Sequence, residues 1–131
     1  CKRTKEGNEI LYARQRLVMA ARAADMEAYD TPFTDVNDMI GLQKDTELAK
    51  SMGFSGKAVI NPRHIECVNA VFTPTKEEID YAKAVFAAIE EGKRLGKGAV
   101  SLNGKMIDKP VADRAMQVLQ KAQAIFGGDM L

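Results

Sequence analysis

The pattern that most constrains this chain is a strand, a helix and a second strand joined by short connections, with no convincing third strand beside them. The first extended run, 26–33, ends in Asp30-Thr31-Pro32-Phe33, where the proline halts any helix, and the turn-rich Thr34-Asp35-Val36-Asn37-Asp38 follows. Asp38 can cap a helix reaching about Met52, with Ile40, Leu48, Ala49 and Met52 on its apolar side and Gly53 placed to stop it. The second strand reads Lys57-Ala58-Val59-Ile60 and closes at Asn61-Pro62. This order makes a parallel pair, and parallel sheets are normally covered by helices. Two strands alone leave a face and both edges bare, so sheet neighbours are expected from elsewhere. The opening Cys1-Lys2-Arg3-Thr4-Lys5-Glu6-Gly7, which reads as a loop entered partway, points the same way: a piece of something larger.

Around this unit the pattern is helical. Over 8–24, Ile10, Leu17, Val18, Ala21 and Ala24 recur at helical spacing with Arg14, Arg16 and Arg22 between them, predicting an amphipathic helix. Another helix is predicted over 64–72. Thr75-Lys76-Glu77-Glu78 matches a capping box opening a long helix, with Ile79, Ala82, Phe86 and Ile89 on one stripe and an end at Gly92 and Gly96. Asn103-Gly104 between two short extended runs predicts a hairpin within 99–108. Pro110 suits the first turn of a last helix that aligns Val111, Ala115, Val118, Ala122 and Ile125. There is no internal repeat and no linker, and 131 residues argue for one compact core, since two modules would each approach the lower size limit.

Composition narrows the function classes. Hydrophobic residues at 46% and charged residues at 28% are globular values, which excludes a mostly disordered chain. Nineteen Lys and Arg against 18 Asp and Glu leave a net charge of +1, so no basic field points to nucleic acid or anionic lipid. No apolar run approaches the about 20 residues that span a bilayer, and the polar N-terminus has no signal-peptide core; the expectation is a soluble, cytoplasmic protein. Cys1 and Cys67 form no CxxC and no His/Cys cluster, which fits reduced thiols rather than zinc or a disulfide framework.

Few residues announce chemistry. His64, the only histidine, has no recognisable Ser or Cys nucleophile to serve and is expected at a helix N-terminal surface. Gly53, Gly56, Gly92, Gly96 and Gly98 form neither GxGxxG nor a Walker loop and read as caps and turns. Asp30, Asp35 and Asp38 follow the first strand, where ligand sites of α/β proteins converge, although a turn and an N-cap explain Asp38 and compete evenly for Asp30. Asp108 reads, from spacing, as a carboxylate facing the N-terminal dipole of the last helix. Lys57 and Lys105 could each neutralise phosphate, but lone lysines are usually solvated.

Longer motifs carry more. Ala-Ala-Arg-Ala-Ala (20–24), Asp-Thr-Pro-Phe-Thr-Asp-Val-Asn-Asp (30–38), Gly-Phe-Ser-Gly-Lys-Ala-Val-Ile-Asn-Pro (53–62), Val-Phe-Thr-Pro-Thr (71–75) and Gly-Lys-Gly-Ala-Val-Ser-Leu-Asn-Gly-Lys-Met-Ile-Asp-Lys-Pro (96–110) occur in order. Together, over nearly the whole chain, they resemble the citrate lyase beta-subunit family, whose malyl-CoA and citramalyl-CoA lyase relatives share much of the set. The resemblance implies an α/β fold: residues 1–72 as the last two strands and helices of a (β/α)8 TIM barrel, and 73–131 as a helix-hairpin-helix lid extension. It implies a carbon–carbon lyase that cleaves a citryl thioester, on coenzyme A or on the phosphopantetheine of an acyl carrier protein, to an acetyl thioester and oxaloacetate. The alternatives are a malyl-CoA or citramalyl-CoA type lyase, or a non-catalytic interaction or oligomerisation fragment. Magnesium is the implied cofactor, held in the family by a Glu and an Asp that precede Cys1 in the usual order, so this chain alone is expected to be inactive. Asp108 corresponds to the family's acid/base group, which reaches a neighbouring subunit's site. Asp30, Pro32, Phe33, Asp35, Ile60, Asn61 and Pro62 correspond to the lining of the thioester cleft, with Asn61 standing where relatives often carry His. The implied partners are an acyl carrier protein, an alpha subunit and further copies of the chain, as a trimer.

Overall fold

Two short parallel strands organise the first half of the chain. In the computed structural model, which describes residues 1–96 and 99–127, β1 (Tyr29–Asp30) pairs with β2 (Gly56–Lys57) in the register Tyr29↔Gly56 and Asp30↔Lys57. The ladder is flanked by Ser55 N–H donating to Ala28 O and Ala58 N–H donating to Asp30 O. It does not extend over 57–60 as the sequence pattern predicts: Ala58, Val59 and Ile60 are exposed. The partner strand gives out first, because Pro32 brings no N–H to a ladder.

A 3-10 turn (Asn8–Ile10) leads into α1 (Leu11–Ala23), and α2 (Met39–Met52) connects the strands. Asp38 caps α2 as predicted, its Oδ1 accepting from Gly41 N–H at 2.8 Å, and Gly53 ends the helix at φ 100°. The buried stripe of α2 is Leu42, Thr46 and Ala49, however, and Ile40 is 71% exposed. The helix carries apolar residues on two sides, and packing against α3 (Arg63–Phe72) and β2 selects the side where Thr46 returns its hydroxyl to Leu42 O at 2.7 Å. His64 corrects another expectation. It is fully buried, and neither ring nitrogen has a hydrogen-bond partner among the described residues, so it is no surface group.

The chain divides into two compact units between Phe72 and Thr73, where length alone argued for one. The first buries Val18, Ala28, Leu42, Ala49, Phe54, Val68 and Phe72 together, and the second has a separate core of Ala82, Val85, Ala115 and Leu119. In the second unit the predicted capping box opens α4 (Lys76–Arg94): Thr75 Oγ1 accepts from Glu78 N–H at 3.2 Å while Glu78 Oε2 accepts from Thr75 N–H at 2.9 Å. β3 (Val100–Leu102) and β4 (Lys105–Ile107) form the predicted antiparallel hairpin. Its loop residues Asn103 and Gly104 both have positive φ, 50° and 75°, as a type I′ turn requires. α5 (Lys109–Phe126) packs on α4, with Ile125 left 48% exposed near its end. Gly98 lies outside the described residues.

α4 runs through Gly92 to Arg94 rather than ending there, and the space a Gly92 side chain would fill is taken by the hairpin: a Cβ at Gly92 would overlap Val100 Cγ2. Gly92→Ala should therefore lower the denaturant stability of this chain by about 1–2 kcal/mol, the usual range for overpacking against a stiff β-branched neighbour. Were the helix face open there, alanine's better helix propensity would raise stability by about 1 kcal/mol instead, so the sign of the change decides.

Candidate functional site

Four elements of the first unit, α1, β1, α2 and β2, each contribute one charged group to a largely buried ring. Arg14 from α1 grips Asp30 at the end of β1 with both arms of its fork, Nε to Oδ1 at 3.1 Å and Nη2 to Oδ2 at 2.6 Å. Arg14 Nη1 also meets Asp45 Oδ1 of α2 at 2.9 Å. Lys57 of β2 closes the ring, its Nζ 2.7 Å from Asp30 Oδ2, 2.5 Å from Asp45 Oδ2 and 2.8 Å from Thr31 O. The side chains of Arg14, Asp30 and Lys57 are 6%, 1% and 0% exposed, so these charges are out of water, and two cations balance two carboxylates. Lys57 is thus no solvated lysine, and Arg14 does not lie on a polar helix face.

Asp45 and Arg14 carry no sequence motif. The available signal is positional: Asp45 falls on the stripe of Leu42, Thr46 and Ala49, and a charge on a buried stripe needs a partner. The ring fixes the end of β1, and the chain beyond it turns along a groove of about 370 Å³. Of the residues predicted to line a ligand cleft, Pro32, Phe33 and Asp35 border this groove, together with Ile10, Lys5 and the exposed edge of the ring. Gly41 makes room for the Phe33 ring, whose Cζ would stand 2.9 Å from a Cβ at that position.

Salt bridges and hydrogen bonds hold the groove's rim. Lys5 Nζ lies 2.7 Å from Asp35 Oδ2, and that hydrogen bond, helped by Asn37 N–H, holds the Asp35 carboxyl below its ordinary value while raising that of Lys5. Glu9 pins the opposite loop by accepting from Thr4 N–H at 2.9 Å and Thr4 Oγ1 at 2.8 Å, which lowers its pKa to about 2. The lining combines the apolar Ile10, Pro32 and Phe33 with charged and hydroxyl side chains, which suits a ligand with both apolar and charged parts.

The other predicted residues are not brought to this groove. Asp30 is enclosed by its cations. Ile60 is 59% exposed in the connection between β2 and α3, Asn61 Oδ1 accepts from Arg63 N–H at 3.0 Å to open α3, and Pro62 is exposed beside it. In the second unit Asp108 is the N-cap of α5, its Oδ1 accepting from Val111 N–H at 3.0 Å, and its side chain is exposed. Among the described residues no group of three or more His, Cys, Asp or Glu is placed to hold a metal ion, and no helix is long and apolar enough to cross a membrane.

The ring makes a sharp prediction. Lys57→Met removes a buried cation and leaves two carboxylates sharing Arg14, so urea unfolding of the chain should show a loss of about 3–5 kcal/mol. A change within about 0.5 kcal/mol, as for a solvated lysine, would mean that the ring does not form in solution.

Residues 1–62 match the family described as HpcH/HpaI aldolase/citrate lyase. Over 122 residues, 93% of this chain and 40% of the relative, the sequence is 50% identical to citrate lyase subunit beta of Leuconostoc mesenteroides subsp. cremoris. It is 41% identical over 121 residues, 92% of this chain and 36% of the relative, to mitochondrial citramalyl-CoA lyase of Mus musculus. Among solved structures, the CitE protein of Mycobacterium tuberculosis in complex with magnesium, acetoacetate and coenzyme A superimposes with a TM-score of 0.74 at 30% identity, covering 93% of this chain and 45% of that one. The chain spans about two-fifths of the length of the curated relatives it matches. Residues 1–62 thus carry the pattern of the HpcH/HpaI aldolase/citrate lyase family, and nearly the whole chain is similar to citrate lyase beta subunits and shares a helix-rich α/β fold with CitE.

Proposed function

We propose that this chain is the C-terminal part of a citrate lyase beta subunit, which cleaves a citryl thioester to an acetyl thioester and oxaloacetate. The observation that carries the reading is the 50% identity to citrate lyase subunit beta along 93% of the chain, against 41% to a citramalyl-CoA lyase. In this reading β1 and β2 are the last two strands of a (β/α)8 barrel, and residues 73–131 are a lid extension. The parallel register and the helix between the strands support it, as does Tyr29, 66% exposed on a strand that lacks an outer neighbour among the described residues.

Cleavage is a retro-Claisen reaction. The hydroxyl proton of the citryl group leaves to a base, the bond from the carbinol carbon to the thioester-bearing methylene breaks, and its electron pair becomes the thioester enolate. A proton delivered to that methylene carbon yields the acetyl thioester. We assign this proton transfer to Asp108, acting in a neighbouring subunit's cleft. Its cap bond uses one carboxylate oxygen and leaves a second for substrate. The groove beside Pro32, Phe33 and Asp35 is assigned to the thioester and its carrier, with Ile60, Asn61 and Pro62 completing the cleft in the closed barrel. The relative crystallised with magnesium and coenzyme A supports both as cofactor and carrier. The residues described here do not fit a magnesium ion, because the ring occupies Asp30 and Asp45; the ligands are assigned to the remaining part of the lyase. The reading further assigns an acyl carrier protein and an alpha subunit as partners, a homotrimer, and a cytoplasmic location.

The second reading, a citramalyl-CoA or malyl-CoA lyase, rests on the 41% relative and is separated by assaying the intact lyase on citryl, citramalyl and malyl thioesters. Within the intact lyase, Asp108→Asn keeps a good N-cap, so folding should be unchanged while turnover, followed by oxaloacetate release, falls on the order of 100-fold or more. Unchanged turnover removes Asp108 from the mechanism.

A further inference from the structure

The hairpin of the second unit has two faces, and the core explains only one. Directly opposed residues of an antiparallel pair point to the same side, and the side alternates along each strand. Leu102 and Ile107 therefore share a face with Val100, and both pack against the core of Ala82, Val85, Ala115 and Leu119. The pair Ser101↔Met106 points the other way. Asp108, with φ −101° and ψ 177°, continues the extended backbone of β4, so its side chain returns to the face of Met106. That outward face carries a hydroxyl, a thioether and a carboxylate, and Met106 is 70% exposed. Nothing in the packing of this unit calls for an apolar side chain there.

We infer that Met106 is a substrate-binding residue of the lyase reaction, contacting the two methylenes that join the thioester sulfur to the amide of the pantetheine arm. The inference rests on the reading of Asp108 as the proton-transfer group. If Asp108 addresses the methylene carbon next to the thioester carbonyl, a side chain two residues away on the same strand face lies about 7 Å along the strand. Measured from that carbon, the carbonyl, sulfur and first two methylenes of the carrier occupy this distance. They are apolar, and an unbranched, polarisable thioether is suited to pack on them. Ser101, small and directly opposite, leaves the Met106 side chain room to lie over the ligand.

The test uses the intact lyase with Met106→Ala, Met106→Leu and Asp108→Asn. Met106→Ala should raise KM for the thioester about tenfold with kcat changed less than about threefold, because contact with unreacting methylenes is shared by ground and transition states. Met106→Leu, which keeps the apolar volume, should restore KM to within about twofold of the parent. The same KM rise must appear with a thioester of N-acetylcysteamine, which retains those two methylenes and lacks the rest of the carrier. A rise seen only with coenzyme A places the contact elsewhere and overturns the assignment, as does an unchanged KM in Met106→Ala while Asp108→Asn loses turnover. If Asp108→Asn turns over normally, the reading beneath fails, and the assignment of Met106 falls with it. Exposure of Met106 makes a folding defect a poor explanation for any of these changes, and equal melting temperatures of the variants check it.

Discussion

The first unit depends on a buried ring of four charges, Arg14, Asp30, Lys57 and Asp45, drawn from α1, β1, β2 and α2. Taking one charge out of water costs several kcal/mol, and the cost is offset only when geometry is good and every group is paired. Here the count is balanced and the bonds are short, so each element is held to the others by groups that cannot be removed singly. The ring also fixes strand register. A slip of one residue between β1 and β2 would turn Lys57 to the opposite face and leave Asp30 with Arg14 alone. For a pair of strands two residues long, with little ladder to define alignment, that is a strong specification.

What the sequence revealed and what it concealed divide along sequence separation. The Asp38 cap, the Thr75–Glu78 capping box, the Asn103-Gly104 turn and the glycine stop at Gly53 are each written within three or four residues, because their hydrogen bonds are that local. The ring joins residues 12 to 31 positions apart, so its members look like ordinary surface charges until the fold brings them together. Helix faces fall between these cases. α2 has two apolar sides, and periodicity cannot say which one meets α3; the position of Asp45 beside Leu42 and Thr46 resolves it only once its cationic partners are known. The candidate site splits in the same manner. Pro32, Phe33 and Asp35 are found at a groove because they directly follow a strand end, whereas Asp30, one step earlier, belongs to the scaffold.

For Asp108 the observed structural role and the proposed chemical one need not compete. The cap orients the carboxylate through Val111 N–H, and the alternation of β4 determines which way it faces. A carboxylate used for proton transfer must be held in place before substrate arrives, and a helix N-cap does this with one of its two oxygens. Spacing alone therefore returns the cap, which is real, and says nothing against a second use.

The same economy of position explains why the hairpin is built as it is. A two-stranded ribbon has little stability of its own, so an outward face can be rigid only if the inward face is anchored. Leu102 and Ile107 supply that anchor on the α4–α5 core, Gly92 lets Val100 approach α4 more closely than any side chain would permit, and the type I′ turn fixes the pairing. The anchoring contacts of Leu102, Ile107 and Val100 all lie on the face opposite Met106 and Asp108. Substitutions on the outward face can then alter its chemistry without disturbing what holds the hairpin, which is what the site proposed around Asp108 would require.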